Sequence, residues 1–223
     1  MWKQLRMRVM TGSEKVFVIG PDSLAALPPE RFSVGAGEEL RLVLVVLPGV
    51  SPVIPLTIDL EGEGATVNVS GLYLASGSDR VRLDILMHHK APHTTSTQLF
   101  NGIIGGEAST VFSGRIVIDE GTFGIDAGQE NHNILVSDRA RAESDPQLEI
   151  YADDVKCSHG ATVGRLNEDE QFYMRSRGIP ESEARFLQLL SFASRVLPGL
   201  PPVIPGLTGN LSSVIESAIR SLL

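Results

Sequence analysis

The chain is 223 residues long, 42% hydrophobic and 21% charged, with a net charge of −8. Such a composition fills a core and is not that of a disordered segment, and the length suits one domain with at most an appendage. The acidic balance argues against nonspecific nucleic-acid binding, which needs a basic footprint. A single cysteine rules out an internal disulfide framework and fits a reducing compartment. The opening MWKQLRMRVMTG lacks the apolar core and cleavage site of a secretory signal. The most hydrophobic run, Leu40 to Leu47, contains an arginine and is too short to cross a bilayer. A cytoplasmic protein without a membrane span is expected.

Residues 1–29 read as a lead-in, with a short strand at Val16 to Gly20 and then Pro21, Pro28 and Pro29, which interrupt any longer element. A strand is expected from Glu39 to Leu47, closed by Pro48-Gly49. Val50 to Pro55 carries two prolines and reads as a connection. From Leu56 onward the pattern has period two. Leu56, Ile58 and Leu60 alternate with polar neighbours, as do Val81, Leu83, Ile85 and Met87, and again Phe112, Gly114, Ile116 and Ile118. Strand centres near Leu83, Leu99, Ile116, Ile134 and Ile150 recur every 16 to 18 residues or so, the mark of a repeated unit. A sandwich or barrel of hairpins and a parallel β-helix both fit this rhythm. The corners GEGA, SGSD, KAPHT, GGEAS and AGQENH are longer than hairpin turns, which favours the β-helix.

The all-β pattern ends at Gly164. Asn167 followed by Glu170 predicts an N-cap and capping box, and a helix over Glu168 to Arg177 that stops at Gly178. Pro180 suits the first turn of a second helix, whose Ala184, Leu187, Leu190, Ala193 and Leu197 recur at helical spacing. Pro198 to Pro205 reads as a semi-rigid linker. A last helix, Leu211 to Leu223, places Leu211, Val214, Ile215, Ala218, Ile219 and Leu222 on one stripe.

Cys157 and His159 are the leading candidates for chemistry. Two residues apart on a strand, they share a face and leave Ser158 on the other. Thiolate and imidazole are good ligands for iron, copper and zinc. Two donors do not complete a site of about four, so another chain or a small ligand would have to close it. The plainer reading is a buried cysteine beside a hydrogen-bonded histidine. His88, His89 and His93 crowd into six residues, but adjacent histidines face opposite sides of a strand and the spacing is not that of a cupin. Glu130, Asn131 and His132 fall in a polar corner, and satisfied turn residues explain them best. Asp153 and Asp154 are adjacent, so they do not flank one glycosidic bond. No phosphate loop, HExxH or serine-nucleophile motif accompanies any of these. Tyr173, Met174, Arg175, Arg177 and Gly178 form either an ordinary helix end or an anchor for a partner.

The stretch PQLEIYADDVKCSHGATVG followed by FYMRSRGI resembles the SufD branch of the SufB/SufD family, scaffold proteins of iron–sulfur cluster assembly. HHKAPHTTS and the run from Gly114 to Asp138 are similar to the same family, and the likeness covers roughly Arg80 to Leu197. The resemblance implies a right-handed parallel β-helix core over 30–164 with a helical tail over 165–223. It implies a non-catalytic scaffold subunit that meets a SufB-like sister through its β-helix and docks a SufC-like ATPase through the tail, at Tyr173, Met174, Arg175, Arg177 and Gly178. It also implies that His159, with Cys157 as a second candidate, ligates a transient iron–sulfide cluster at a subunit interface, with no tightly bound cofactor. The alternatives are a structural β-helix homodimer without a cluster, and a cupin-like or carbohydrate-active metalloprotein using His88 and His93.

Overall fold

The computed structural model describes residues 8–11, 13–21, 27–196 and 208–223. Twelve strands and three helices lie among the described residues. Strands β2 (Glu14–Ile19), β4 (Glu39–Val46), β6 (Thr66–Ala75), β8 (Thr95–Ile104), β10 (Ile125–Leu135) and β12 (Val155–Gly164) stack in parallel in one sheet. A short antiparallel strand, β1 (Arg8–Thr11), closes that sheet's first edge. The intervening strands β3 (Arg31–Val34), β5 (Val53–Leu60), β7 (Arg80–His89), β9 (Ser109–Ile118) and β11 (Arg141–Ile150) form the second parallel sheet. The chain thus passes from one sheet to the other at each corner, making a parallel β-solenoid of two strands per coil.

Contacts between equivalent corners, such as Gly49 with Asp79 and Gly124 with Asp154, join residues 30 apart. The sequence rhythm of strand centres is therefore half a coil. The β5 strand begins at Val53, inside the segment expected to be a connection. Pro55 is tolerated there because its nitrogen faces the side of β3, which pairs only with Thr57–Leu60.

One cluster of side chains fills the space between the sheets, from Phe17 and Leu42 through Leu56, Leu83 and Phe112 to Ile125. Glycines make room for large neighbours within it. A side chain at Gly71 would collide with the Phe100 ring, one at Gly102 with Tyr73, and one at Gly114 with the Gln129 carboxamide. The corners repeat as well. Gly37, Gly64, His93 and Gly124 take φ of 64°, 72°, 56° and 66° at the same corner of successive coils. Their amides donate to Glu63, Pro92, Phe123 and Asp154 carbonyls at 2.9, 3.2, 2.8 and 2.9 Å. Only glycine adopts this conformation without strain, and His93 is the exception, with its ring edge-on to Phe123.

A second cluster lies outside the solenoid. Val16, Val18, Val43, Val45, Leu72, Leu74 and Ile103 point away from the interior and pack against α2 (Glu181–Ser194) and α3 (Thr208–Ser221). Being buried on both faces, Leu42 to Leu47 shows no polar alternation, as expected of a covered sheet. The α3 stripe is buried as its spacing predicts, at Leu211, Val214, Ile215, Ala218 and Ile219. The α2 face is rotated from the expected one: Ala184, Phe186, Leu189 and Ala193 are buried while Leu187 is exposed. Leu197 and the proline linker lie outside the described residues. Among the described residues no helix is long and apolar enough to cross a membrane.

Candidate functional site

Strand β12 is the last of its sheet and β11 the last of the other, so both sheets end at the same end of the solenoid. The register places Cys157 beside Ala127, His159 beside Gln129, Ala161 beside Asn131 and Val163 beside Asn133. All four neighbours are buried in the interior. Cys157 and His159 therefore share the inward face of the terminal coil, as the alternation predicts. Without a further coil to cover them, His159 is exposed and Cys157 half-buried. The plainer reading of a fully buried pair does not hold. Ile150, Tyr151 and Val163 are exposed apolar side chains on the same terminal strands or just after them.

The Cys157 thiol is pushed above its ordinary range by burial and, secondarily, by the Asp126 carboxylate. The thiol form is favoured in the isolated chain, so Cys157 is a poor free nucleophile. A bound metal ion would displace that proton. Among the described residues no group of three or more His, Cys, Asp or Glu is gathered as a metal site. Cys157 and His159 offer two donors of types that suit iron, short of the roughly four that a tetrahedral site needs.

Other candidates are held by structure. His88 points outward between two carboxylates, with Nε2 2.7 Å from Asp119 and Nδ1 3.5 Å from Asp59. Asp59 is buried and also paired with Arg31 and with Lys90 at 2.9 Å. His89 points inward, its ring nitrogens 2.8 Å from the Thr94 and Ser96 hydroxyls. Burial, chiefly, and the neighbouring His88 lower its pKa to about 4. His93 sits at a corner, so the three histidines do not converge. Glu130, Asn131 and His132 are not in a corner as expected but in the middle of β10. Asn131 faces inward and bonds Tyr73 Oη at 2.8 Å, and Tyr73 donates to Asn133 at 2.6 Å. Outside, His132 bridges Glu130 at 3.0 Å and Thr162 at 2.8 Å. Asp154 closes a corner by accepting from the Gly124 amide.

The predicted helix end takes shape as α1 (Glu168–Ser176). Asn167 accepts from the amides of Asp169 and Glu170 at 2.9 and 3.2 Å. The Glu170 carboxylate turns to Gln188 at 2.8 Å instead of completing the box. Gly178 at φ 87° ends the helix, its amide donating to Arg175 and that of Ile179 to Met174, the paired bonds of a Schellman motif. Arg177 lies 5.2 Å over the Tyr173 ring, and Arg175 is 3.6 Å from Glu181. Tyr173, Met174 and Leu187 line a groove of about 510 Å³ between α1 and α2, with Asp169 and Glu170 at its acidic rim. Helical spacing expects Leu187 on the buried stripe. Its place in this groove follows from the angle at which α2 packs, which spacing alone does not carry.

Fold and site together define a parallel β-solenoid whose two sheets end unpaired beside a cysteine–histidine pair. Residues 22–192 match the model for the SUF system FeS cluster assembly, SufBD core domain, and the chain belongs to that family. It is similar to the iron–sulfur cluster assembly protein SufD of Escherichia coli, 36% identical over 141 residues, which is 63% of this chain and 33% of that protein. SufD of Bacillus subtilis is 31% identical over 164 residues, 74% of this chain and 37% of the relative. A SufBD family protein of Mycobacterium tuberculosis is 30% identical over 207 residues, 89% of this chain and 52% of the relative. The matches thus span about a third to a half of each relative's length.

Proposed function

We propose that this chain is a scaffold subunit of Suf iron–sulfur cluster assembly, without catalytic chemistry of its own. Its solenoid end meets a SufB-like sister, and the groove between α1 and α2 receives a SufC-like ATPase. The observation that carries this reading is the placement of Cys157 and His159 together on the inward face of the terminal strand. There the side chains of an apposed solenoid would complete the ligand set. The cluster is cargo: His159 supplies a neutral imidazole and Cys157 a thiolate once iron takes the place of its proton. Energy and sulfur come from outside, because the sequence holds neither a phosphate-binding loop nor a desulfurase signature. The expected compartment is the cytoplasm.

The test is to co-purify the chain with SufB-type and SufC-type subunits, wild type beside His159→Ala. Iron and acid-labile sulfide are measured after anaerobic reconstitution. Loss of cluster from an intact complex is the expected result. Full retention would remove His159 from the assembly site, and no complex at all would leave a stand-alone solenoid.

A further inference from the structure

Equivalent positions of successive coils stack into rows across the solenoid interior. The row that ends at His159 runs Leu42, Val69, Gln98, Gln129, His159. It begins with two aliphatic side chains, continues with two buried carboxamides and ends on an exposed imidazole. The row that ends at Cys157 carries Leu40, Val67, Ser96 and Ala127 and holds no carboxamide.

Gln98 and Gln129 are 1% and 0% exposed. Gln129 Nε2 donates to Gln98 Oε1 at 3.2 Å, and Gly114 on the facing sheet leaves the space that the Gln129 carboxamide fills. The carboxamide is thus held from two sides while its oxygen is left over. Among the described residues, Gln129 Oε1 has no hydrogen-bond partner. Gln98 Nε2 is unpartnered too, and the next residue on its side of the row, Val69, offers no side-chain acceptor. The one bond sets a direction along the row, with donors towards the first coils and acceptors towards the open end. Continued by one step, that direction leads from the Gln129 oxygen to His159. A buried acceptor without a donor is costly, and this one lies a single step before the candidate ligand.

We propose that Gln129 is the positioning residue of His159: its Oε1 accepts the Nδ1–H of the imidazole, fixing the ring and leaving the Nε2 lone pair for iron. This rests on the reading above, in which His159 is a cluster ligand. Adjacent strands lie about 4.8 Å apart, so a side chain one step along the row is within reach of the oxygen. Nδ1 is the ring nitrogen nearer the backbone and that neighbour, and Nε2 is the one at the tip. Histidine ligands commonly donate their other ring N–H to an oxygen, which sets the tautomer and raises the basicity of the ligating nitrogen. The neighbour of Cys157 in its own row is Ala127, which has no polar side-chain atom to offer. The fold therefore prepares His159 and not Cys157.

The tautomer of His159 supplies the test. The isolated chain, carrying isotope-labelled histidine, is observed by two-bond proton–nitrogen correlation NMR at mildly alkaline pH, where the ring is neutral. His159 is identified by the signals lost in His159→Ala. The wild type should show the Nδ1–H form, the minor tautomer of free imidazole. Gln129→Met, which keeps the length of the side chain without its acceptor, should return His159 to the Nε2–H form. Gln129→Glu, which keeps an acceptor, should retain Nδ1–H. In the complex with SufB-type and SufC-type subunits, Gln129→Met should weaken iron(II) retention by about 10- to 100-fold, and Gln129→Glu should restore it. A wild-type His159 in the Nε2–H form, or a tautomer unchanged in Gln129→Met, would overturn the inference. If His159→Ala retains iron as the wild type does, the ligand reading itself fails. If His159→Ala loses iron while Gln129→Met keeps it, the ligand reading survives and this inference alone fails.

Discussion

At the scale of single residues, the solenoid interior is less apolar than its outline suggests. Tyr73, Asn131 and Asn133 form a closed hydrogen-bonded set between the sheets, and burial holds the Tyr73 hydroxyl protonated. His89 is also strongly affected by its position. Its two hydroxyl partners satisfy the neutral ring, and the site disfavours the imidazolium. The usual pKa of 6.5 falls to about 4 in the fold, so the unfolded chain takes up a proton first as pH drops. The stabilising contribution is complete above pH 6.5 and is lost between there and about pH 4. The loss amounts to roughly 3 kcal/mol, at about 1.4 kcal/mol per unit. Urea titrations of wild type and His89→Gln at pH 7.5 and pH 4.5 would check this. The wild type should lose more stability on acidification than the variant, and equal losses would exclude His89 as the sensor.

At the scale of elements, coils stack closely where interior glycines such as Gly71 and Gly102 make room for side chains of the neighbouring coil. At Gly102 a methyl group would meet both the Tyr73 ring and the Asn133 carboxamide. Gly102→Ala should cost at least about 1–3 kcal/mol by overpacking, measured as a lower denaturation midpoint. An exposed glycine with open space, such as Gly164, should tolerate alanine within about 0.5 kcal/mol. Helix α1 depends on a local device: Asn167→Ala removes both cap bonds and should lower stability by about 1 kcal/mol. A change below the error of thermal denaturation would mean that α1 is held by its contacts with α2 alone.

At the scale of the whole molecule, helices cover one outer face of the solenoid and leave uncovered the two surfaces proposed above for partners. One is the open end with Cys157 and His159, and the other is the groove between α1 and α2. The groove is apolar at Tyr173, Met174 and Leu187 and acidic at its rim, a form suited to an apolar anchor flanked by cations. Leu187→Glu should abolish capture of a SufC-type ATPase without lowering the melting temperature, because Leu187 is exposed in the free chain. Binding unchanged from wild type would move the docking site off this groove. The His159 variant should leave that binding intact, which separates the two surfaces.

The sequence by itself determined the repeat, the strand alternation, the shared face of Cys157 and His159, the Asn167 cap and the α3 stripe. Each of these follows from backbone period or, for the Asn167 cap, from a hydrogen bond within one helical turn. Strand alternation alone also turns His88 and His89 to opposite sides. Only the tertiary structure decided that GQENH belongs to β10, because Asn131 looks like a turn residue until Tyr73, from a distant strand, satisfies it. Only packing rotated α2 so that Phe186 is buried and Leu187 is not. A strand's period fixes which way its side chains point, but only its neighbours decide which of its edges stays open.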